Sequence, residues 1–372
     1  MNDLASQTSS SLEQYAPVVG AAEVEELHAL AKPLENSSVE MVNSTAVGGG
    51  VAELLTRLLP LMRGVGLDAH WHVMEAGSEF FEVTKGFHNA LHGAAWQSRD
   101  HEFDVFREYN RRNRERIPLD GNFVVIHDPQ PVGLVEMRRP GSPAHWTWRC
   151  HIDLSRPNPT VWNFLEPWVT KYDGSIFSSP EFARQLPIPQ YLFYPSIDPL
   201  ADKNRELDDE FVKTVLDRFG IDGRRPILTQ ISRFDRLKDP IGVVRAYRLV
   251  KRYFDCQLVL AGGGATDDPE GATVLAEVRD AASGDADIHI LELPAEAPLE
   301  VNALQCASTV VIQKSLREGF GLTVYQIRFL LSHPQIARQL GEQGHQHVLE
   351  NFLVVGSLRR YLTLFLHQAS KK

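Results

Sequence analysis

The chain has 372 residues, a formal net charge of -10, and 43% hydrophobic and 23% charged residues. That length allows two domains with cores of their own. The acidic balance argues against general nucleic-acid binding, and no apolar run reaches transmembrane length.

Residues 1–37 read as an arm with a short helix over 24–31, polar at the start and without the pattern of a signal peptide. From residue 38 strand and helix patterns alternate. An apolar run beginning at Val39 reads as a buried strand, and Gly48, Gly49 and Gly50 turn it. Behind them Val51, Leu54, Leu55 and Leu58 recur at helical spacing. A strand entering a helix through glycines leaves N–H groups uncovered, where an anion or polar ligand can sit, although a turn needed only for packing would look the same. The contiguous glycines do not follow the G-x-G-x-x-G order, and no G-x-x-x-x-G-K-[ST] loop is present. That disfavours a nicotinamide-linked oxidoreductase and a nucleoside triphosphatase.

Strands are expected over 67–74, 122–126, 145–150, 173–177 and 190–194, with helices over 80–91, 101–116 and 161–169. Residues 195–204, rich in Pro, Asp and Ser, read as the linker between two domains. The second half starts with a helix over 209–219. Strands over 226–231, 257–261, 288–291 and 309–313 then alternate with helices over 241–253, 273–281 and 300–307. Near the end the rhythm stops: 325–340 reads as a helix, and two more follow to residue 369. Repeated alternation predicts an α/β fold of open parallel sheets covered on both faces, with ligands at the carboxyl ends of the strands.

The candidate residues stand at those strand ends. His127 and Asp128 open the proline-bounded turn His127-Asp128-Pro129-Gln130-Pro131, where they can meet a substrate hydroxyl or merely cap the turn. Arg149 and Asp153 flank Cys150-His151 after the next strand. Arg233 and Lys238 follow the first strand of the second half, near a helix start, and suit a diphosphate clamp; a solvated charge cluster is the plainer reading. Glu318, between glycines in Glu318-Gly319-Phe320-Gly321, can accept from sugar hydroxyls or balance a helix start. The three cysteines, Cys150, Cys256 and Cys306, lack metal-ligand spacing and read as reduced core residues, and no metal site is expected.

Taken in order, Gly48-Gly49-Gly50, His127-Asp128-Pro129-Gln130-Pro131, Trp148-Arg149-Cys150-His151-Ile152-Asp153, Ser232-Arg233-Phe234, Lys238-Asp239-Pro240 and Glu318-Gly319-Phe320-Gly321 resemble the retaining, nucleotide-sugar-dependent glycosyltransferases. Within that group the chain most resembles the glycosyltransferring trehalose synthases, and it is also similar to the retaining trehalose phosphorylases. The resemblance covers about residues 38–370. It implies a GT-B type fold, with two Rossmann-like domains facing a central cleft. The first domain, on the acceptor side, would span 38–195. The second, binding the nucleotide sugar, would span 205–355, and a C-terminal helix over 356–372 would pack back on the first.

The resemblance also implies roles. Gly48, Gly49 and Gly50 would lie near the donor diphosphate, and His127 would touch the transferred glucose. Asp128, Arg149 and Asp153 would contact substrate, and Arg233 and Lys238 would neutralise the leaving diphosphate. Glu318, Gly319, Phe320, Gly321 and Leu322 would hold the donor. The family's second glutamate, eight positions after Glu318, is Gln326 here. A helix, glycine-rich turn and strand customary after Glu-Gly-Phe-Gly are absent, so a backbone break is expected between Val324 and Tyr325. The implied reaction makes α,α-trehalose from glucose and ADP-glucose or UDP-glucose, in the cytoplasm, with no metal and no tightly bound cofactor. A homodimer, a trehalose phosphorylase and a catalytically silent sugar- or nucleotide-binding protein remain alternatives.

Overall fold

The computed structural model describes residues 11–46, 50–97, 100–263, 269–294, 297–313 and 322–371. Its contacts divide the chain into two units, Met1–Asp198 with Val348–Lys372, and Pro199–His347.

The first unit holds a six-stranded sheet ordered β2-β1-β3-β4-β5-β6, every pairing parallel. Its strands are β1 (Ser38–Asn43), β2 (Asp68–Val73), β3 (Phe123–His127), β4 (His145–Arg149), β5 (Gly174–Phe177) and β6 (Gln190–Leu192). The central strands are apolar on both faces because helices cover both, the usual reason a parallel strand reads as a continuous hydrophobic run. Val39 and Met41 point into one core, and Val42, Val124 and Ile126 into the other. The second core is closed by α4 (Ser78–Leu91), α5 (Asp100–Arg114) and α6 (Pro159–Val169). Asn158 caps α6, its Oδ1 accepting from Thr160 N at 3.0 Å, with Pro159 beginning the helix.

The first core is built from segments far apart in sequence. Short helix α1 (Ala16–Val19) and α2 (Ala21–Ala31) precede β1, α3 (Gly50–Gly64) follows it, and α13 (Val354–Ala369) ends the chain. Val354, Leu358, Tyr361, Leu362 and Phe365 form a buried stripe along α13, packed in one cluster with Leu55, Leu58 and Met62 of α3. Each such side chain contributes about 1.5–3 kcal/mol by burial. The stretch read as an arm joins this core: Leu12, Tyr15 and Leu27 are buried, and Tyr15 Oη donates to Asp198 Oδ1 at 3.0 Å.

The second unit has a four-stranded parallel sheet ordered β10-β7-β8-β9. Its strands are β7 (Ile227–Ile231), β8 (Gln257–Gly262), β9 (Ile288–Glu292) and β10 (Val310–Val311). They alternate with α7 (Asp209–Arg218), α8 (Pro240–Lys251), α9 (Pro269–Ala282) and α10 (Pro298–Cys306).

Three expectations need correction. The single helix expected over 325–340 is two, α11 (Leu322–Ser332) and α12 (Pro334–Asn351), because Pro334 begins a new helix rather than continuing the old one. The backbone break expected between Val324 and Tyr325 is not there, since α11 runs through both residues. Cys306 is exposed, while Cys150 and Cys256 are buried free thiols. No helix among the described residues is long and apolar enough to cross a membrane.

Candidate active site

Two adjacent strand ends build the polar cluster of the first unit. His127 on β3 pairs in register with Arg149 on β4, so the two side chains share one face of the sheet. The turn that follows is held by three hydrogen bonds. Asp128 N donates to Arg149 O at 2.8 Å, Trp148 Nε1 donates to Asp128 O at 3.0 Å, and His151 N donates to Asp128 Oδ1 at 2.9 Å. Asp128 needs that support, because its φ of 66° lies in the left-handed region that disfavours a side chain.

His127 Nδ1 and His151 Nε2 are 2.9 Å apart, the rings stacked with centroids 5.2 Å apart. Burial, and then the charge of Arg149, keeps both imidazoles well below their usual range, so both are neutral near pH 7. Burial pushes the Asp128 carboxyl up to about 6, against the His151 N–H and the Arg149 charge, which pull it down. Arg149 is 1% exposed and donates to the Tyr361 hydroxyl at 2.6 Å. Asp153 Oδ1 accepts from Ser155 N at 2.7 Å, holding its own turn. At the end of β1, Asn43 is fixed from both sides: Trp71 Nε1 donates to its Oδ1 at 2.8 Å, and its Nδ2 donates to Thr45 O at 2.6 Å. Gly50 opens α3; Gly48 and Gly49 lie outside the described residues.

In the second unit, Ser232 N donates to Ala261 O at 3.0 Å, bringing the end of β7 against the end of β8. Gly262 permits that approach, since a Cβ there would sit 1.9 Å from the Ser232 carbonyl oxygen. Arg233 follows, 59% exposed, 3.7 Å from the Asp235 carboxylate. Lys238 closes the 3-10 turn Arg236–Lys238, where its carbonyl accepts from Gln230 Nε2 at 2.8 Å. Asp239, at φ 46°, caps α8 by accepting from Gly242 N at 3.0 Å. Lys238 thus directly precedes the capping residue of α8, a helix start whose N–H groups and dipole favour an anion, and Arg233 lies five residues earlier in the chain. Glu318, Gly319, Phe320 and Gly321 lie outside the described residues; Leu322 begins α11, and Gln326 is exposed on it.

Residues 41–184 match a family model described as "Trehalose synthase, N-terminal domain". The trehalose synthase of Thermococcus litoralis is 39% identical, the match covering 95% of this chain and 96% of that protein. The chain belongs to the trehalose synthase family. It is a glycosyltransferase by that membership. A trehalose phosphorylase of Pleurotus pulmonarius is 26% identical over 84% of this chain, which spans 49% of that protein. The solved α,α-trehalose 6-phosphate synthase of Burkholderia multivorans shares the fold, with a TM-score of 0.69 at 13% identity, covering 90% of this chain and 99% of that one. The two parallel sheets with their helices are accordingly the two Rossmann-like domains of a GT-B glycosyltransferase. The alignment with the Thermococcus protein runs over 397 positions, more than the 372 residues of this chain, so that relative carries residues without counterparts here.

Sequence reasoning passed over His151 as a site residue, although it stands within the Arg149–Asp153 stretch. It also passed over Asn43, whose only signal was its place at the end of a buried strand. Among the described residues no group of three or more His, Cys, Asp or Glu side chains could hold a metal ion.

Proposed function

We propose that this glycosyltransferase moves glucose from ADP-glucose or UDP-glucose to the anomeric hydroxyl of free glucose, giving α,α-trehalose with retention. The observation that carries this reading is the near full-length match to trehalose synthases, 39% identical across 95% of the chain. The polar ends of β3 and β4 support it with groups suited to hexose hydroxyls: the neutral His127–His151 pair and the Asp128 carboxyl.

The difficult step is departure of a diphosphate while positive charge grows at the anomeric carbon. Arg233, Lys238 and the N–H groups opening α8 would take up the diphosphate charge, and one well-placed donor of this kind contributes roughly 3 kcal/mol in a water-poor site. With retention, the departing phosphate oxygen would accept the proton of the incoming hydroxyl on the same face of the sugar. The C1–O bond to phosphate breaks as the C1–O bond to the acceptor forms, so no further acid or base is required. Glu318 would hold donor hydroxyls, and Gly48, Gly49 and Gly50 would lie near the donor diphosphate.

The test is incubation of the full chain with glucose plus ADP-glucose, with glucose plus UDP-glucose, and with trehalose plus inorganic phosphate. Trehalose from either nucleotide sugar, with no phosphorolysis, supports the reading. Phosphorolysis alone would assign the phosphorylase reaction. Binding of trehalose with no turnover in any mixture would leave a silent binding protein.

A further inference from the structure

The amino end of α13 gathers positive charge and holds no acid. Leu353 stands in its capping position and offers no side-chain acceptor. The Val354 N–H is taken by Ile197 O at 2.8 Å and that of Ser357 by Leu353 O at 3.2 Å; those of Val355 and Gly356 between them have no acceptor among the described residues. Such a helix start favours an anion and disfavours a cation. A cation is nevertheless what the chain places there. The Arg360 side chain runs back along the helix, its Nη2 donating to Asn351 O at 3.1 Å, while its Nη1 has no hydrogen-bond partner. Arg149 is the second cation, 1% exposed and with Nε and Nη2 unpartnered. It lies over the rings of Phe193 and Tyr361, and Arg360 lies 5.4 Å from the centroid of Tyr194, so both guanidiniums sit where residues 193–194 meet α13. Burial, and then the charge of Arg149, pulls Arg360 below the usual arginine range, against Tyr194, which raises it. Among the described residues no carboxylate forms an ion pair with either arginine. Asp128, which feels the Arg149 charge, is bonded to His151 N instead.

We propose that the start of α13 binds a phosphate group, held by Arg360 and by the N–H groups of Val355 and Gly356, with Arg149 adding charge from behind. There is room for it. Gly356 is partly exposed, and a Cβ built on it would meet only Arg360 Nη1 within 4 Å, at 3.7 Å. The space beside this glycine is therefore open on the side where the unpartnered nitrogen lies. A tetrahedral oxyanion offers acceptors to a guanidinium edge and to backbone N–H groups at once, which a spherical ion does not. The glycine is also what leaves the place to a ligand, because an acidic side chain one turn before Arg360 would balance both the cation and the helix dipole from within. The site lies wholly in the first unit, whereas Arg233 and Lys238 belong to the second, and it does not depend on the proposed reaction.

The test compares thermal midpoints of the full chain in inorganic phosphate, in the phosphomonoester β-glycerophosphate and in sodium chloride, all at matched ionic strength. Equilibrium dialysis with radiolabelled inorganic phosphate supplies the affinity. Wild type should melt higher in phosphate than in chloride, and the gain should saturate. Arg360→Ala should weaken phosphate binding by about 10-fold or more, the loss expected for charge-assisted hydrogen bonds. Gly356→Asp sets a carboxylate beside Nη1 and at the helix start, so it should melt higher than wild type in chloride and lose the gain from phosphate. The double variant Arg233→Ala, Lys238→Ala should keep a gain. Stabilisation by inorganic phosphate alone assigns the free anion, and stabilisation by the ester as well assigns the phosphate group of a larger molecule to the same place. No gain over chloride in wild type, an undiminished gain in Gly356→Asp, or a gain removed only by the Arg233 and Lys238 changes would overturn the site. If Arg360→Ala fails to fold, Gly356→Asp decides.

Discussion

Arg149 Nη1 donates to the Tyr361 hydroxyl at 2.6 Å, joining the end of β4 to a helix 212 residues further along the chain. The guanidinium also lies over the rings of Phe193 and Tyr361, 5.8 and 5.4 Å from their centroids. Its Nε and Nη2 have no hydrogen-bond partner. One phenol oxygen and two aromatic faces therefore stand in for water around a buried cation. That charge in turn helps to keep His127 and His151 neutral.

Tyr361→Phe should destabilise the first unit although it keeps the ring. It removes the acceptor and leaves a third nitrogen of Arg149 unpaired, a loss of about 1–3 kcal/mol for an unsatisfied buried group. Urea midpoints of wild type and variant measure it. Equal midpoints would mean that the aromatic faces alone suffice.

The neutral imidazoles give stability a pH dependence of known sign. Free histidine titrates near 6.5, and both native values are depressed, so below about pH 6.5 the unfolded chain binds more protons than the folded one. Their contribution is present above that pH and is lost as pH falls towards the depressed native values. His127→Phe, which removes one of the two titrating rings, should show a shallower fall in urea midpoint between pH 7 and pH 5 than wild type. Parallel slopes would assign the acid sensitivity to other groups.

Much of this fold is legible in the sequence, because a parallel strand covered on both faces is largely apolar, as Phe123–Ile126 of β3 and Leu258–Ala261 of β8 are. The strand ends, and with them His127, Arg149 and Arg233, follow from the same reading. What periodicity does not carry is partnership across long separations. The union of Arg149 with Tyr361, or the packing of Leu12 and Tyr15 into the α3 and α13 core, depends on segments that share no local pattern. Nor does a strand end say which of two nearby histidines lies underneath. That follows from the side-by-side register of β3 and β4 together with the turn at Asp128, whose positive φ no residue pattern announces.

Asp128 titrates near the working range, its carboxyl raised by burial to about 6. If the ionised form accepts from a hexose hydroxyl, kcat/KM should rise with pH through about 6 and level off above it. Asp128→Asn should lose that limb, because an amide does not titrate, and should retain reduced activity at all pH values. A limb near pH 6 that persists in the asparagine variant would assign it to another group. Stability carries the opposite sign. A raised carboxyl favours the folded state at low pH, and that contribution is lost as pH rises towards 6.

Gly262→Ala should disturb the segment that carries Arg233 from behind. The new Cβ would meet the Ser232 carbonyl oxygen at 1.9 Å, and a backbone atom cannot rotate away as a flexible side chain can. The Ser232–Arg233 segment must therefore move. Overpacking of this kind costs about 1–3 kcal/mol. The KM for nucleotide sugar should rise alongside a lowered urea midpoint. A variant with both values at the wild-type level would show that the two strand ends separate without consequence for Arg233.

Arg233 and Lys238 are predicted to matter to turnover far more than to folding. Arg233 is 59% exposed, its nearest carboxylate oxygen 3.7 Å away on Asp235. A change at so open a position ordinarily alters stability by no more than about 0.5 kcal/mol. Lys238 contributes its carbonyl to Gln230, a bond that any side chain at this position preserves. If the two charges neutralise the leaving diphosphate as proposed, replacing either by alanine should lower kcat by roughly 100-fold. Lys238→Arg should keep part of the activity, since a flexible ammonium acts mainly as a point charge. Arg233→Lys should keep less if the planar guanidinium grips two phosphate oxygens. Donor-saturated initial rates for the alanine variants, with urea midpoints alongside, decide the matter. Near-wild-type kcat in both, with folding intact, would remove the clamp from the mechanism and return the two residues to a solvated charge cluster.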